Sequence, residues 1–153
     1  IACALAMEGA KDIKVALHRE DYFCAETLFE RVDRHFPFVC TIGEMTEKSI
    51  AAALEKYDVI IHATKVGMYP NVDEYSSTEL LQPRHIVADV VYVPVETKLL
   101  REAAALGCRT LDGMWMLVYQ GAEAVRIWTG LEPPVDVMAA GCERFLEGLQ
   151  KHN

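Results

Sequence analysis

The amino-acid sequence predicts an α/β protein built on a doubly wound parallel sheet. Three observations carry that prediction. The β-branched runs at residues 58–63 (DVIIHA) and 86–92 (IVADVVY) lack the polar/apolar alternation of a half-exposed sheet, so both of their faces are expected to be covered. Such runs alternate along the chain with segments of helical spacing, the rhythm of β-α-β crossovers. The chain has 153 residues, 52% of them apolar, which is enough for one domain with a sizeable core.

Taken in order, residues 1–9 (IACALAMEG) are small and apolar, end on a glycine and read as the end of a helix. Residues 12–17 (DIKVAL) read as a strand. Residues 22–35 form an amphipathic helix with Phe23, Leu28, Phe29 and Val32 on its buried side. Residues 38–42 (FVCTI) are a short strand. Helical spacing returns over 44–57 through Met45, Ile50, Ala53 and Leu54. The strand at 58–63 leads into a loop from Lys65 to Ser77 that carries Gly67, Pro70 and Asn71. After the strand at 86–92, a helix over 97–106 takes Thr97 as its N-cap and stops at Gly107. Residues 108–111 are a short strand. Residues 113–129 are a long helix, with Met114, Leu117, Val118, Gly121, Val125 and Trp128 recurring at steps of three and four. Pro133 and Pro134 open a last helical segment to about Gln150. Right-handed crossovers through this order give a Rossmann-like architecture.

Composition excludes several classes of function. The net charge is −8 and there is no basic stripe, which argues against a nucleic-acid partner. No apolar run is long enough to cross a bilayer, so no membrane partner is expected. Cys3, Cys24, Cys40, Cys108 and Cys142 are odd in number and contain no CxxC pair; reduced, mostly buried thiols in a cytoplasmic protein are expected. The histidines lack HxxxH or HExxH spacing, so no metal ligation is expected. The chain begins with Ile1 inside a helix-like pattern and is expected to be a piece of a longer protein.

Four stretches, in this order and spacing, resemble the shikimate/quinate dehydrogenase family: 63–68 (ATKVGM), 89–94 (DVVYVP) with 96–99 (ETKL), 110–120 (TLDGMWMLVYQ) and 121–130 (GAEAVRIWTG). The likeness covers nearly the whole chain and is weakest over 20–47. It implies an NAD(P)-binding domain that lacks its first strand and glycine loop, with residues 1–130 as the partial nucleotide-binding domain and 131–153 as its C-terminal helical segment. With the central first strand absent, the remaining strands would divide into a pair and a trio. The implied reaction is reversible hydride transfer between a nicotinamide cofactor and a ring carbinol of shikimate or quinate. In the family, a lysine and an aspartate beside the reacting hydroxyl come from an N-terminal catalytic domain. Neither can be assigned here, so no catalytic residue is named, and the isolated chain is expected to be inactive. That domain is the expected partner; a homodimer is left open.

The candidate binding residues follow from position. His18, Arg19, Glu20 and Asp21 come after the strand where such folds contact the adenosine ribose. Arg19 matches the arginine of the family's Asn-Arg motif, and His18 departs from its asparagine. Glu20 and Asp21 can accept from ribose hydroxyls and repel a 2′-phosphate, which favours NAD; Arg19 keeps NADP open. Alone, the four also read as a solvated turn. Lys65 lies past a strand end, near the cofactor by resemblance, with Thr64 and Met68 as weaker candidates. Val90, Val91, Tyr92 and Val93 close the next strand; the resemblance places them against nicotinamide and substrate, with Val93 where the family usually has asparagine. Gly113 lets backbone approach the nicotinamide carboxamide or is a turn glycine, and Trp115 replaces a second family glycine. Met116 packs on nicotinamide or is ordinary core. Gln120, one turn on, can donate to and accept from a substrate hydroxyl, as can Tyr92. A non-catalytic metabolite- or nucleotide-binding regulatory module of the same fold is the competing function.

Overall fold

The structure is a computed structural model that describes residues 1–74 and 78–150. The end of the loop expected over 65–77 and the last three residues of the C-terminal segment lie outside the described residues, as do the side chains of Cys24 and Leu28. The architecture is α/β with parallel sheets, and the chain divides into two compact units, Ile1–Lys56 and Tyr57–Asn153. The ladders form a pair and a trio of strands.

The first unit contains α1 (Ala2–Met7), β1 (Ile13–Leu17), a single 3-10 turn (Arg19–Asp21), α2 (Tyr22–His35), β2 (Cys40–Glu44) and α3 (Glu47–Lys56). β1 and β2 are parallel, with Ile13 opposite Cys40 and Leu17 opposite Glu44. α2 buries Ala25 and Val32, the latter 1% exposed. Phe23, expected on that side, is 82% exposed. It stands two residues before Ala25, roughly 200° around a helix of 3.6 residues per turn. β2 starts two residues later than the sequence suggests. Phe38 takes a left-handed φ of 64°, and its N–H donates to the Asp33 carboxylate at 3.0 Å, so the chain is still turning there. α3 is opened by a reciprocal cap. The Thr46 N–H donates to Ser49 Oγ at 2.9 Å, and the Ser49 N–H donates to Thr46 Oγ1 at 3.1 Å.

The second unit contains β3 (Val59–His62), β4 (Ile86–Asp89), α4 (Lys98–Ala105), β5 (Arg109–Leu111), α5 (Gly113–Thr129) and α6 (Val135–Gln150). β4 is central and parallel to both neighbours. α4 packs on β4 and β5, and α5 packs on α6. Val87, Ala103, Val118 and the imidazole of His85 are all but inaccessible to solvent. His85 is satisfied there because its Nδ1 accepts from the Gln82 N–H at 2.9 Å. α5 buries Met114, Val118 and Ala122, one row at steps of four. Trp128, expected with that row, is 80% exposed. It falls roughly 240° around the helix from Ala122. β4 ends at Asp89, three residues before the expected Tyr92, for a reason that belongs to the site. The described cysteines are free: Cys3 is exposed, Cys142 half-buried, and Cys40 and Cys108 buried. Burial pushes both buried thiols up, with the neighbouring Cys3 adding to the effect at Cys40, which keeps them in the inert thiol form.

Candidate functional site

In an open parallel sheet, ligands bind outside the carboxyl ends of the strands, where loops leave the sheet and backbone groups are unpaired. β3 and β4 end side by side, with His62 opposite Asp89. Beyond them a cleft of about 340 Å³ opens between Thr64, Lys65 and Met68 on one loop and Val90 through Val93 on the other. The sequence had named Lys65 and Val90 through Val93 as site residues and Thr64 and Met68 as weaker candidates; the fold brings all seven together. Tyr92 is 39% exposed and available to a ligand. Lys65 is exposed, and its ammonium has no ion-pair partner among the described residues.

Beneath the cleft lies a polar network that the sequence reading missed. Asp89 is 3% exposed. Its Oδ1 accepts from His62 Nδ1 at 2.9 Å and from the Val91 N–H at 3.0 Å. Its Oδ2 accepts from the Thr97 hydroxyl at 2.8 Å. Burial pushes the Asp89 carboxyl up; the hydrogen bonds from His62, Val91 and Thr97 outweigh it and hold the group below the usual carboxylate range. By taking the Val91 N–H, Asp89 also ends the β4 ladder. Thr97 Oγ1 in turn accepts from the Leu100 N–H at 3.3 Å, which makes Thr97 the N-cap of α4 as expected. On the other side, His62 Nε2 lies 2.6 Å from Thr64 Oγ1, which also accepts from the Val66 N–H at 3.1 Å. A buried aspartate and a histidine inside two otherwise apolar strands were the signal available in the sequence.

Gly113 has a close-packing role. A Cβ there would stand 2.5 Å from the carbonyl oxygens of both Val90 and Val91. The start of α5 therefore rests against the backbone of the cleft wall, and the missing side chain serves that approach. The Asp112 carboxylate caps the helix by accepting from the Met114 N–H at 2.9 Å. Met116 and Gln120 are exposed on α5 and are not among the residues lining the cleft. His18, Arg19, Glu20 and Asp21 belong to the first unit, where they follow β1 as an exposed 3-10 turn. Among the described residues, none of their side chains has a hydrogen-bond or ion-pair partner. No cluster of three or more His, Cys, Asp or Glu side chains among the described residues could hold a metal ion. No helix of the described residues is long and apolar enough to cross a membrane.

A family model described as the shikimate 5'-dehydrogenase C-terminal domain matches residues 113–140. The chain is 47% identical over 112 residues to a shikimate dehydrogenase (NADP(+)) of Methanosarcina barkeri, covering 71% of this chain and 39% of that protein. Among solved structures, a quinate dehydrogenase from Corynebacterium glutamicum in complex with NAD aligns with a TM-score of 0.82 at 34% identity, over 95% of this chain and 50% of that one. A shikimate 5-dehydrogenase from Listeria monocytogenes in complex with shikimate and NAD aligns with a TM-score of 0.78 at 32% identity, over 88% of this chain and 50% of that one. The chain thus spans half or less of the length of these relatives.

Proposed function

The chain belongs to the shikimate/quinate dehydrogenase family, and from that premise we propose that it is the cofactor-binding half of an NAD(P)-dependent oxidoreductase acting on a ring carbinol of shikimate or quinate. The observation that carries the reading is the cleft at the carboxyl ends of β3 and β4, walled by Val90 through Val93 and bordered by Lys65. Its volume of about 340 Å³ falls in the range of small-molecule pockets. Valine side chains offer a flat ring an apolar seat, and the Tyr92 phenol adds a ring face and a hydroxyl. The nicotinamide, when bound, is the hydride acceptor. The part of this chain is to orient that ring and to exclude water from one of its faces. In this reading Lys65 lies close to the cofactor, Gln120 and Tyr92 hydrogen-bond substrate hydroxyls, and Met116 packs beside the nicotinamide.

The exposed turn His18–Asp21 is assigned to the adenosine ribose. Glu20 and Asp21 favour the two free hydroxyls of NAD over a 2′-phosphate, while Arg19 can still pair with one. The acid and base for the carbinol proton are assigned to the partner domain, so the 153 residues by themselves are expected to give no turnover. Free thiols, two of the four described ones buried, support a reducing, cytoplasmic setting.

The test is reduction of NAD or NADP by the full-length protein with shikimate and with quinate, followed by absorbance of the reduced nicotinamide. Turnover that requires one of the two substrates supports the reading. Saturable dinucleotide binding without turnover on either would replace it with a non-catalytic sensor of the same fold.

A further inference from the structure

We propose that His62 is a positioning residue that fixes the hydrogen-bond polarity of Thr64, so that the cleft presents a hydrogen-bond acceptor to its ligand at that point. An ionised carboxylate only accepts, so the 2.9 Å contact between Asp89 Oδ1 and His62 Nδ1 places a proton on Nδ1. A neutral imidazole carries a single N–H, so Nε2 is then an acceptor. The 2.6 Å contact with Thr64 Oγ1 must therefore be a hydrogen bond donated by the threonine hydroxyl. That hydroxyl has one hydrogen and two lone pairs. Its hydrogen is committed to the imidazole, and one lone pair takes the Val66 N–H at 3.1 Å. The remaining lone pair belongs to an exposed side chain that lines the cleft.

The ligand group that fits is an N–H or O–H donor. A phosphate or carboxylate oxygen at the same place would face a lone pair and be repelled. His62 is itself only slightly exposed, with 10% of its side chain accessible, so it acts on the ligand through Thr64. The register that sets His62 opposite Asp89 on adjacent strands holds the relay in place. This inference rests on the cleft being the nicotinamide end of the cofactor site. There, two donors of this class are present: the carboxamide N–H and a ribose hydroxyl.

The first experiment needs no ligand. In full-length protein labelled with 15N-histidine, long-range 1H–15N correlation at pH 7.5 reads the tautomer of His62, assigned by its absence in His62→Asn. The expected result is the Nδ1–H tautomer. Thr64→Val should shift the Nε2 resonance toward that of an unbonded ring nitrogen, and Thr64→Ser should restore it. An Nε2–H tautomer, or a doubly protonated ring, would overturn the proposal. The second experiment titrates NAD and its 3-acetylpyridine analogue, which lacks the carboxamide N–H, into wild type, Thr64→Val and Thr64→Ser. Thr64→Val should weaken NAD about 2- to 13-fold, the range for one hydrogen bond, and Thr64→Ser should not. A smaller loss with the analogue than with NAD assigns the donor to the carboxamide; an equal loss assigns it to a ribose hydroxyl. Wild-type affinity in Thr64→Val refutes the ligand-facing role. Absence of any dinucleotide binding in the wild type instead refutes the cofactor reading of the cleft, and the tautomer result then stands apart from it.

Discussion

Replacing Asp89 tests whether the network beneath the cleft holds the second unit together. The carboxylate satisfies three donors: His62 Nδ1, the Val91 N–H and the Thr97 hydroxyl. Asp89→Ala removes all three acceptor sites from a position only 3% exposed. An unsatisfied buried donor costs about 1–3 kcal/mol. The Thr97 hydroxyl can rotate toward another acceptor and the His62 ring can change tautomer, but the Val91 N–H is fixed by the backbone. Counting the stranded Val91 N–H and the lost hydrogen bonds to His62 and Thr97, we expect Asp89→Ala to cost about 2–6 kcal/mol. Asp89→Asn keeps one oxygen for Val91 and His62 and can donate its amide to Thr97 Oγ1, so about 1–2 kcal/mol is expected. Urea unfolding of the 153-residue chain, followed by the fluorescence of Trp115 and Trp128, reports on this unit, which holds both tryptophans. With a slope of about 1–3 kcal/mol per molar urea, a 3 kcal/mol loss lowers the midpoint by roughly 1–3 M. The sign with pH follows from the lowered Asp89 carboxyl. Its stabilisation is complete above the ordinary aspartate value of about 3.9 and is lost as pH falls through the lower folded value. The gap between wild type and Asp89→Asn should therefore close as the pH falls below about 4. Equal midpoints for the alanine and asparagine variants, or a gap that widens on acidification, would refute the reasoning.

Three other outcomes are expected. Gly113→Ala puts a methyl 2.5 Å from two carbonyl oxygens; overpacking of this kind costs about 1–3 kcal/mol, read as a lower melting temperature together with weaker dinucleotide binding. Asp21→Ser should move the ratio of specificity constants in full-length protein toward NADP, because a charge that repels a 2′-phosphate is removed; an unchanged ratio removes Asp21 from the ribose site. Gln120→Ala should cost shikimate or quinate turnover roughly 0.5–1.5 kcal/mol in kcat/KM and leave dinucleotide affinity unchanged. Steady-state kinetics with both ligands held at wild-type values would return Gln120 to an ordinary exposed helix position.

Most of the fold was legible because its determinants are local. The helices over 97–106 and 113–129 carry caps and apolar spacing that the sequence displays directly, and Thr97 and Gly113 stand where the pattern placed them. The errors arose where tertiary contacts override pattern. Phe23 and Trp128 have the right residue type on the wrong side of a helix, since hydrophobicity does not give phase to better than a residue or two. Phe38 and Tyr92 prolong strands on paper; side-chain acceptors, Asp33 and Asp89, stop those strands in space. The cleft was half legible. Its loops could be read from strand ends, whereas the pairing of His62 with Asp89 depends on a register between residues 27 apart in sequence. Gly113 was read either as letting backbone approach a ligand or as a turn glycine; the carbonyls of Val90 and Val91 are what a side chain there would meet.

That last contact has a consequence for anyone seeking to alter what the cleft accepts. The Val90–Val91 side is backed by the start of α5 with no slack. A larger ligand cannot be accommodated by pushing that side outward without lifting a 17-residue helix. The opposite loop leaves the side chains of Thr64, Lys65 and Met68 exposed. Variant libraries aimed at a new ligand should therefore be drawn at residues 65, 66 and 68 and leave 67, 90, 91 and 113 untouched, since Gly67 is buried at a left-handed φ of 79°. Gains in ligand breadth are then expected from one lip of the cleft, and losses of foldability from the other.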